Sequence, residues 1–437
     1  MFMRRVLIFV VPVLALIIGI SSAFFLNSAP TDESTKISSP SSDVSVKENS
    51  TPHSQIPMPV LDVPTLEPDP AWWQGSAPPG SIGVVWVSKE GSDPSNLFTA
   101  AVQKTIYEDL SSCFPKNATN EDLFEAKVSC FDEKVIKIAA STPNPVDVFV
   151  SINALNVARP DVFTVCHNAS HRVGEVALKR VHKVYGLDKE IIAALLDRGG
   201  SACMGGLMHG VMDAVANLVV NVEDYKPAIE ACLLANPDTL GYCTDAVGHA
   251  TWDTFRKVLP AAEVCSFFQT PSSRRECGEG ILMRMYQREE TTDFWYLGNV
   301  SDEDLPKWNK GVADICANWP KTPFAAAPDE DPREWCWSGS VYLLFKPIFA
   351  VLEEKVNQDK DQFEGISTRL SAAISVCQGF PAPGDDRCLE RMGPSVGHVA
   401  GFEKEPAKQL CLLFPTQASI ERCTKDALSR IDDAYGS

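Results

Sequence analysis

The residues from Pro227 to Cys243 read PAIEACLLANPDTLGYC, and this pattern decides the fold. A proline followed by good helix formers indicates the start of a helix, which here reaches Cys232. The next proline, Pro237, indicates that this helix ends, and Cys243 then falls in the first turns of a second helix. A disulfide between the two cysteines joins the end of one helix to the start of its antiparallel partner.

The same pattern recurs along the chain. PAAEVC begins at Pro260 and PAKQLC begins at Pro406, each ending on a cysteine. The 14 cysteines then fall into seven predicted pairs, the second of which follows by elimination: Cys113–Cys130, Cys166–Cys203, Cys232–Cys243, Cys265–Cys277, Cys316–Cys336, Cys377–Cys388 and Cys411–Cys423. Within the pairs spaced about a dozen residues apart, each bridge stabilises the chain by roughly 3 kcal/mol in the chain-entropy account.

Equivalent cysteines repeat at a fixed interval, for example 33 residues from Cys232 to Cys265 and 34 from Cys377 to Cys411. This helix-turn-helix period resembles that of tetratricopeptide-like arrays, although their Trp, Leu-Gly, Tyr and Pro consensus is absent. The sequence predicts an all-α fold, an array of disulfide-stapled αα-hairpins arranged as a solenoid or compact superhelix. Glycines shortly after the second cysteines, such as Gly248 and Gly280, predict a close approach between helices.

The N-terminus predicts export. Arg4 and Arg5 precede an apolar run of 21 residues from Val6 to Leu26, long enough to cross a bilayer. We interpret residues 1–26 as a signal-anchor, which predicts a single-pass membrane protein with an extracytoplasmic C-terminal domain. The alternative is a signal peptide cleaved before Phe24, which predicts a secreted protein.

Two further regions follow this segment. Residues 27–80 are rich in Ser, Thr, Pro and acidic side chains, which predicts a disordered stalk. Residues 81–437 form the predicted helical-repeat ectodomain, which starts with a strand-like run from Ser81 to Ser88.

Composition restricts the partners and the chemistry. A net charge of −18 argues against nucleic acid and leaves the N-terminal helix as the predicted contact with the membrane. Spaced cysteines without a C-x-x-C pair favour disulfides in an oxidising compartment over a zinc ribbon or a thioredoxin-type site. Hydrolase, protease, NTPase and dinucleotide-binding motifs are absent, so catalytic residues stay unknown. Four sequons predict glycosylation sites at Asn49, Asn117, Asn168 and Asn299.

The histidines follow the cysteine pattern. His209 and His249 each lie six residues after the second cysteine of a pair, and His171 lies five residues after Cys166. Each of the three is followed four residues later by a carboxylate, which shares its helical face. Histidines on neighbouring helices predict a site for zinc, copper or iron. Its predicted ligands are His167, His171, His209 and His249, supported by Glu175, Asp213 and Asp253.

Two functional hypotheses remain open at this stage. In the first, the histidines are polar residues satisfied inside their own repeats, and the protein is an exported, membrane-anchored binding module for an unknown protein, peptide or glycan. In the second, the histidines and carboxylates make it a metal-binding protein or a metal-dependent enzyme.

Overall fold

The computed structural model describes residues 100–114, 130–159, 163–200, 202–290, 300–354 and 359–435, all within the unit Leu61–Ser437. The predicted N-terminal helix, stalk and strand-like run lie outside the described residues, as do the sequons at Asn49, Asn117 and Asn299. In the part of the chain that is described, no helix is both long and apolar enough to span a bilayer.

The prediction of an all-α fold is confirmed, since the described residues form sixteen α-helices and no β-strand. The first eight are α1 Ala101–Ser111, α2 Asp132–Ser141, α3 Pro145–Ala158, α4 Phe163–Tyr185, α5 Lys189–Gly199, α6 Gly206–Ala216, α7 Lys226–Leu234 and α8 Leu240–Phe255. The last eight are α9 Val258–Cys265, α10 Pro271–Glu290, α11 Leu305–Ala317, α12 Arg333–Glu354, α13 Asp359–Gln378, α14 Gly384–Val399, α15 Lys404–Cys411 and α16 Gln417–Tyr435.

Local sequence signals set many of the helix bounds. Pro227 lies in the first turn of α7, where its missing N–H costs no helical hydrogen bond. Thr416 caps α16 by accepting a hydrogen bond from the Ser419 N–H at 3.1 Å. Asn144 caps α3 in the same way through the Val146 N–H at 3.0 Å. These short-range signals account for where several of the helices begin.

All seven predicted disulfides are present, so every cysteine is paired as expected from the spacing. Most of the bonds join the end of a short helix to the first turns of the longer helix after it. Cys232, for example, lies near the end of α7 and Cys243 in the first turn of α8, with Cα atoms 5.7 Å apart. Seven disulfides indicate an oxidising compartment.

Alternate helices from α4 onward lie side by side. Successive contacts join α4 to α6, α6 to α8, α8 to α10, α10 to α12, α12 to α14 and α14 to α16. The helices between them, α5, α7, α9, α11, α13 and α15, each contact the helix that follows. A continuous apolar core runs between the two sets, from Val146 on α3 to Ile431 on α16.

Glycines bring the backbones of α4 and α6 into contact, as the sequence predicted. A Cβ atom at Gly210 would lie 2.0 Å from the carbonyl oxygen of His171, and one at Gly206 would lie 2.6 Å from that of His167. Only glycine avoids these clashes, so the two helices can pack backbone against backbone. Because of this approach, side chains as short as histidine reach from one helix to the next.

Candidate metal centre

The four predicted histidines meet where α4, α6 and α8 pack together. His167 and His171 lie one turn apart on α4, His209 lies on α6 and His249 on α8. The His209 ring centroid is 5.2 Å from those of His167 and His171 and 4.8 Å from that of His249. These ring contacts, together with a 4.7 Å contact between His167 and His171, connect all four side chains into one cluster.

His167 and His171 turn their Nε2 atoms towards each other, 3.0 Å apart. The Nδ1 atom of His167 lies 2.9 Å from the Cys203 carbonyl oxygen, and that of His171 lies 2.8 Å from Asp213 Oδ2. Both oxygens are acceptors, so each Nδ1 carries the hydrogen and donates it. A neutral imidazole has one N–H, and the two Nε2 lone pairs therefore face each other. They repel unless a metal ion or a shared proton lies between them.

The acceptor of the His167 hydrogen bond belongs to a strained turn. Cys203, Met204 and Gly205 adopt φ angles of 51°, 53° and 70° immediately before α6. This left-handed region costs a non-glycine residue about 1 kcal/mol or more. The turn is tied to α4 by the Cys166–Cys203 disulfide, next to His167 in sequence. The strained turn and the disulfide together fix the carbonyl that orients the His167 ring.

His209 and His249 are the most deeply buried members of the cluster, only 4% and 2% exposed. None of their four ring nitrogens has a hydrogen-bond partner in the described residues. A buried polar atom without a partner costs roughly 1–3 kcal/mol, so such atoms mark a site that a ligand would satisfy. Burial lowers the pKa of both rings well below the ordinary value, and the neighbouring histidines and Arg284 contribute. Neutral imidazole is the form that binds metals.

Asp245 on α8 lies between these two rings and is not among the ligands predicted from the sequence. Its Oδ2 atom is 3.4 Å from His209 Nε2 and 3.5 Å from His249 Nε2. Burial raises the pKa of Asp245, and the nearby carboxylates Glu279 and Glu276 raise it further. A sequence signal existed, because Asp245 and Glu279 both lie two residues after the second cysteine of a pair.

The three supporting carboxylates are placed differently from the prediction. Each was expected to contact the histidine four residues before it on the same helix. Asp213 instead reaches across to His171 on α4, and Asp253 pairs with Arg284 on α10 at 2.7 Å. Glu175 pairs with Lys179 at 2.5 Å. The neighbouring helices lie close enough that contacts between helices replace the expected contacts along one helix.

Arg284 on α10 completes the surroundings of the cluster. Its Nη2 atom lies 2.7 Å from Asp253 Oδ2 and 3.7 Å from Asp213 Oδ1. Burial alone would raise the pKa of Asp213, but Arg284 and His171 outweigh it and hold that pKa below its ordinary value. Asp213 is therefore ionised, and its carboxylate accepts the hydrogen bond from His171 Nδ1.

Two sets of side chains in the described residues have the spacing of metal ligands. In each set, one nitrogen or oxygen atom from every residue lies within 4.8 Å of the others. The first set is His167, His171 and His209, and the second is His209, Asp245 and His249. Imidazole nitrogens suit zinc, copper, nickel and iron, and a carboxylate adds a harder oxygen ligand.

Comparison with known proteins yields no relative: no protein-family model, no curated protein and no solved structure matches this chain.

Proposed function

We propose that this protein binds a transition-metal ion where α4, α6 and α8 meet. One observation carries the proposal: the Nε2 atoms of His167 and His171 face each other at 3.0 Å while both Nδ1 atoms donate elsewhere. Two nitrogens bound to one tetrahedral ion at about 2.0–2.1 Å lie about 3.3–3.4 Å apart, so a small rotation of either ring brings the pair to the spacing of two ligands. His209 supplies the third nitrogen.

The partners of the first two histidines support the same conclusion. A histidine that binds a metal generally donates its other ring N–H to a carbonyl or a carboxylate, which fixes the tautomer and raises the basicity of the ring. Cys203 provides the carbonyl and Asp213 the carboxylate. Both acceptors are themselves held, by a disulfide in one case and by Arg284 in the other.

A metal ion bound by these three histidines would keep one coordination position open for water or a substrate. Three protein ligands with an open fourth position are typical of catalytic zinc centres, where the open position takes water or substrate. The side chains of His171 and Asp213 remain 15% and 16% exposed, so one side of the cluster is accessible. We therefore favour a metal-dependent activity on a small ligand that reaches this side.

A zinc titration tests the proposal. The full-length protein is produced under oxidising conditions, stripped with a chelator and titrated with zinc against a competing chromophoric chelator. We expect tight binding, reduced at least tenfold by His171→Ala, because this change removes one of three ligands. The matched control is His182→Ala, on the same helix but outside the cluster. Failure of the wild-type protein to bind zinc, copper(II) or iron(II) would mean that a shared proton occupies the gap.

We also propose that the hairpins form a repeat array that contacts a protein, peptide or glycan partner. The unbroken series of contacts from α4 to α16 supports the array. Leucines exposed just after a first cysteine, Leu234 at 55% and Leu412 at 67%, support a contact role. In this proposal, residues 1–26 anchor the array to the membrane and residues 27–80 hold it away from the surface. The metal centre would then lie inside a binding module, so the two functions are compatible.

A further inference from the structure

We propose that the centre holds two divalent cations, the second one bound by His209, Asp245 and His249. The inference rests on the metal-binding function proposed above and extends it from one ion to two. Both sets of ligands share His209, whose ring lies between α4 on one side and α8 on the other.

The second set has the spacing of ligands rather than of hydrogen-bonded groups. Asp245 Oδ2 lies 3.4 Å from His209 Nε2 and 3.5 Å from His249 Nε2. These distances exceed the usual 2.9–3.0 Å of an N–H···O hydrogen bond. They match the edge of a tetrahedron around a metal with bonds of about 2.0–2.1 Å, which is about 3.3–3.4 Å long.

The hydrogen bonds of the histidines point to sharing of His209. His167 and His171 each have one nitrogen engaged with an oxygen acceptor, as expected of a ring that binds one metal. His209 and His249 are both buried without a hydrogen-bond partner at either nitrogen, but only His209 belongs to both ligand sets. A ring that gives one nitrogen to each of two ions satisfies both atoms. His209 would release its remaining ring proton to solvent when the second ion binds, so that each nitrogen can be a ligand.

The charge around the second set favours a cation. Asp245 is surrounded by further carboxylates from α10, Glu279 and Glu276, and only Glu279 is paired with an arginine, through Arg391 Nη2 at 2.8 Å. Glu276 accepts a hydrogen bond from the Thr244 hydroxyl at 3.0 Å. A divalent ion bound to Asp245 would offset this negative charge in a buried environment, where charges are weakly screened.

The two sets differ in ligand chemistry. The first offers three imidazoles, a set that suits zinc or copper. The second offers two imidazoles and one carboxylate, the combination that binds iron(II) in non-haem oxygenases and zinc in several hydrolases. With three protein ligands at each set, each ion would keep an open position for a water molecule or a small anionic ligand.

Metal stoichiometry decides the question. The stripped full-length protein is loaded with excess zinc, freed of unbound metal by gel filtration and analysed for zinc per chain. We expect two ions in the wild-type protein and in the control His182→Ala. One ion should remain in Asp245→Asn and in His249→Gln, which lose the second set, and one in a His167→Ala/His171→Ala variant, which loses the first. Circular dichroism and disulfide mapping verify that each variant is folded.

Copper(II) provides a second readout that does not depend on variants. Two copper(II) ions joined by one imidazolate couple magnetically, so the paramagnetic resonance signal of the wild-type protein should weaken as the second equivalent binds. Asp245→Asn should give an ordinary signal from one isolated ion.

The possible results separate the two proposals. A single zinc that survives Asp245→Asn and His249→Gln but is lost with His167 and His171 overturns the second ion and leaves the metal-binding function in place. A single zinc lost only with Asp245 or His249 also overturns the pair. No bound metal in any protein overturns both proposals.

Discussion

His171 is held on both sides of its ring. Nδ1 donates to Asp213, and Nε2 faces His167 at 3.0 Å. Asp213 in turn lies beside Arg284, which is fixed by Asp253 on the neighbouring helix. This series of contacts links the position of α10 to a proposed metal ligand on α4, although neither Arg284 nor Asp213 lies in the first proposed ligand set.

Replacing Asp213 with Asn should weaken metal binding without removing a ligand. The amide keeps an oxygen that can accept from His171, but the negative charge beside the ring is lost. Changes of this kind typically reduce metal affinity about 10- to 100-fold. Zinc competition measures the effect, and Glu175→Gln is the matched control because Glu175 pairs with Lys179. Equal losses in both variants would contradict the role given to Asp213.

His398 is a partly buried histidine outside the histidine cluster, with its ring stacked on Phe402 at 5.1 Å and tilted against Phe349 at 5.0 Å. Burial, helped by the charge of Arg430, lowers the pKa of His398 to about 4. Between about pH 6.5 and 4 the unfolded chain therefore binds a proton that the folded chain does not, so stability falls as the pH falls through this range.

The change His398→Phe should remove that dependence. In the metal-free protein we expect the free energy of unfolding to fall by roughly 1–2 kcal/mol less between pH 7 and 4 in the variant than in the wild type, after solvent screening. Denaturant unfolding at the two pH values measures the difference. Identical pH dependence in the two proteins would show that His398 titrates normally.

At the scale of the helices, the contact between α4 and α6 controls whether the cluster can form. Gly210 leaves no room for a Cβ, which would lie 2.0 Å from the His171 carbonyl oxygen. Gly241 on α8 is exposed, and a Cβ there would lie 3.6 Å from the nearest atom, in the Glu276 side chain. The two glycines therefore form a matched pair of helical positions with different surroundings.

The variant Gly210→Ala should push α4 away from α6 and separate His171 from His209. Overpacking of this kind typically costs 1–3 kcal/mol of stability, and zinc affinity should fall with it. Gly241→Ala should keep zinc binding and change stability by less than about 1 kcal/mol. Thermal unfolding and zinc competition test both variants. Normal zinc binding by Gly210→Ala would contradict the account of the helix contact.

Helices and disulfides could be predicted because their signals are local. Prolines in first turns and the cysteine spacing identify most of the hairpins, and each cysteine pair closes a stretch of chain that the sequence itself defines. The histidine positions were predictable for the same reason, since His209 and His249 both lie six residues after a cysteine.

The partners of the histidines depend on contacts between helices, and those were not predictable from spacing on one helix. Asp213 and Asp253 were assigned to the histidines one turn before them. In the structure Asp213 contacts His171, and Asp253 contacts Arg284. Asp245 was missed because it lies one turn before His249 rather than after it. These side-chain contacts depend on the distance between the helices, and the glycine contacts set that distance.

For the whole molecule, the local disulfides make each hairpin a separately stapled unit. The histidine cluster lies on α4, α6 and α8, whereas the last hairpin, α15 and α16, is closed by the Cys411–Cys423 disulfide far along the series of helices. Removing a disulfide should lower zinc affinity only when that disulfide lies next to the histidine cluster.

Replacing Cys411 and Cys423 with alanine should therefore lower stability by about 2–4 kcal/mol and leave zinc affinity unchanged. Replacing Cys166 and Cys203 should lower both, because the Cys203 carbonyl orients His167. Denaturant unfolding and zinc competition compare the two double variants. If the two double variants lost zinc affinity to the same extent, zinc binding would depend on the stability of the whole fold and not specifically on the turn that contains Cys203.

X-ray absorption at the zinc edge tests the central claim most directly, because it reports the ligands of the bound ion. The account predicts light-atom ligands at about 2.0–2.1 Å with the multiple-scattering pattern of several imidazole rings. This pattern should decrease when His167 and His171 are both replaced by alanine. A spectrum of oxygen ligands alone, or one that both replacements leave unchanged, would contradict a metal centre at the junction of α4, α6 and α8.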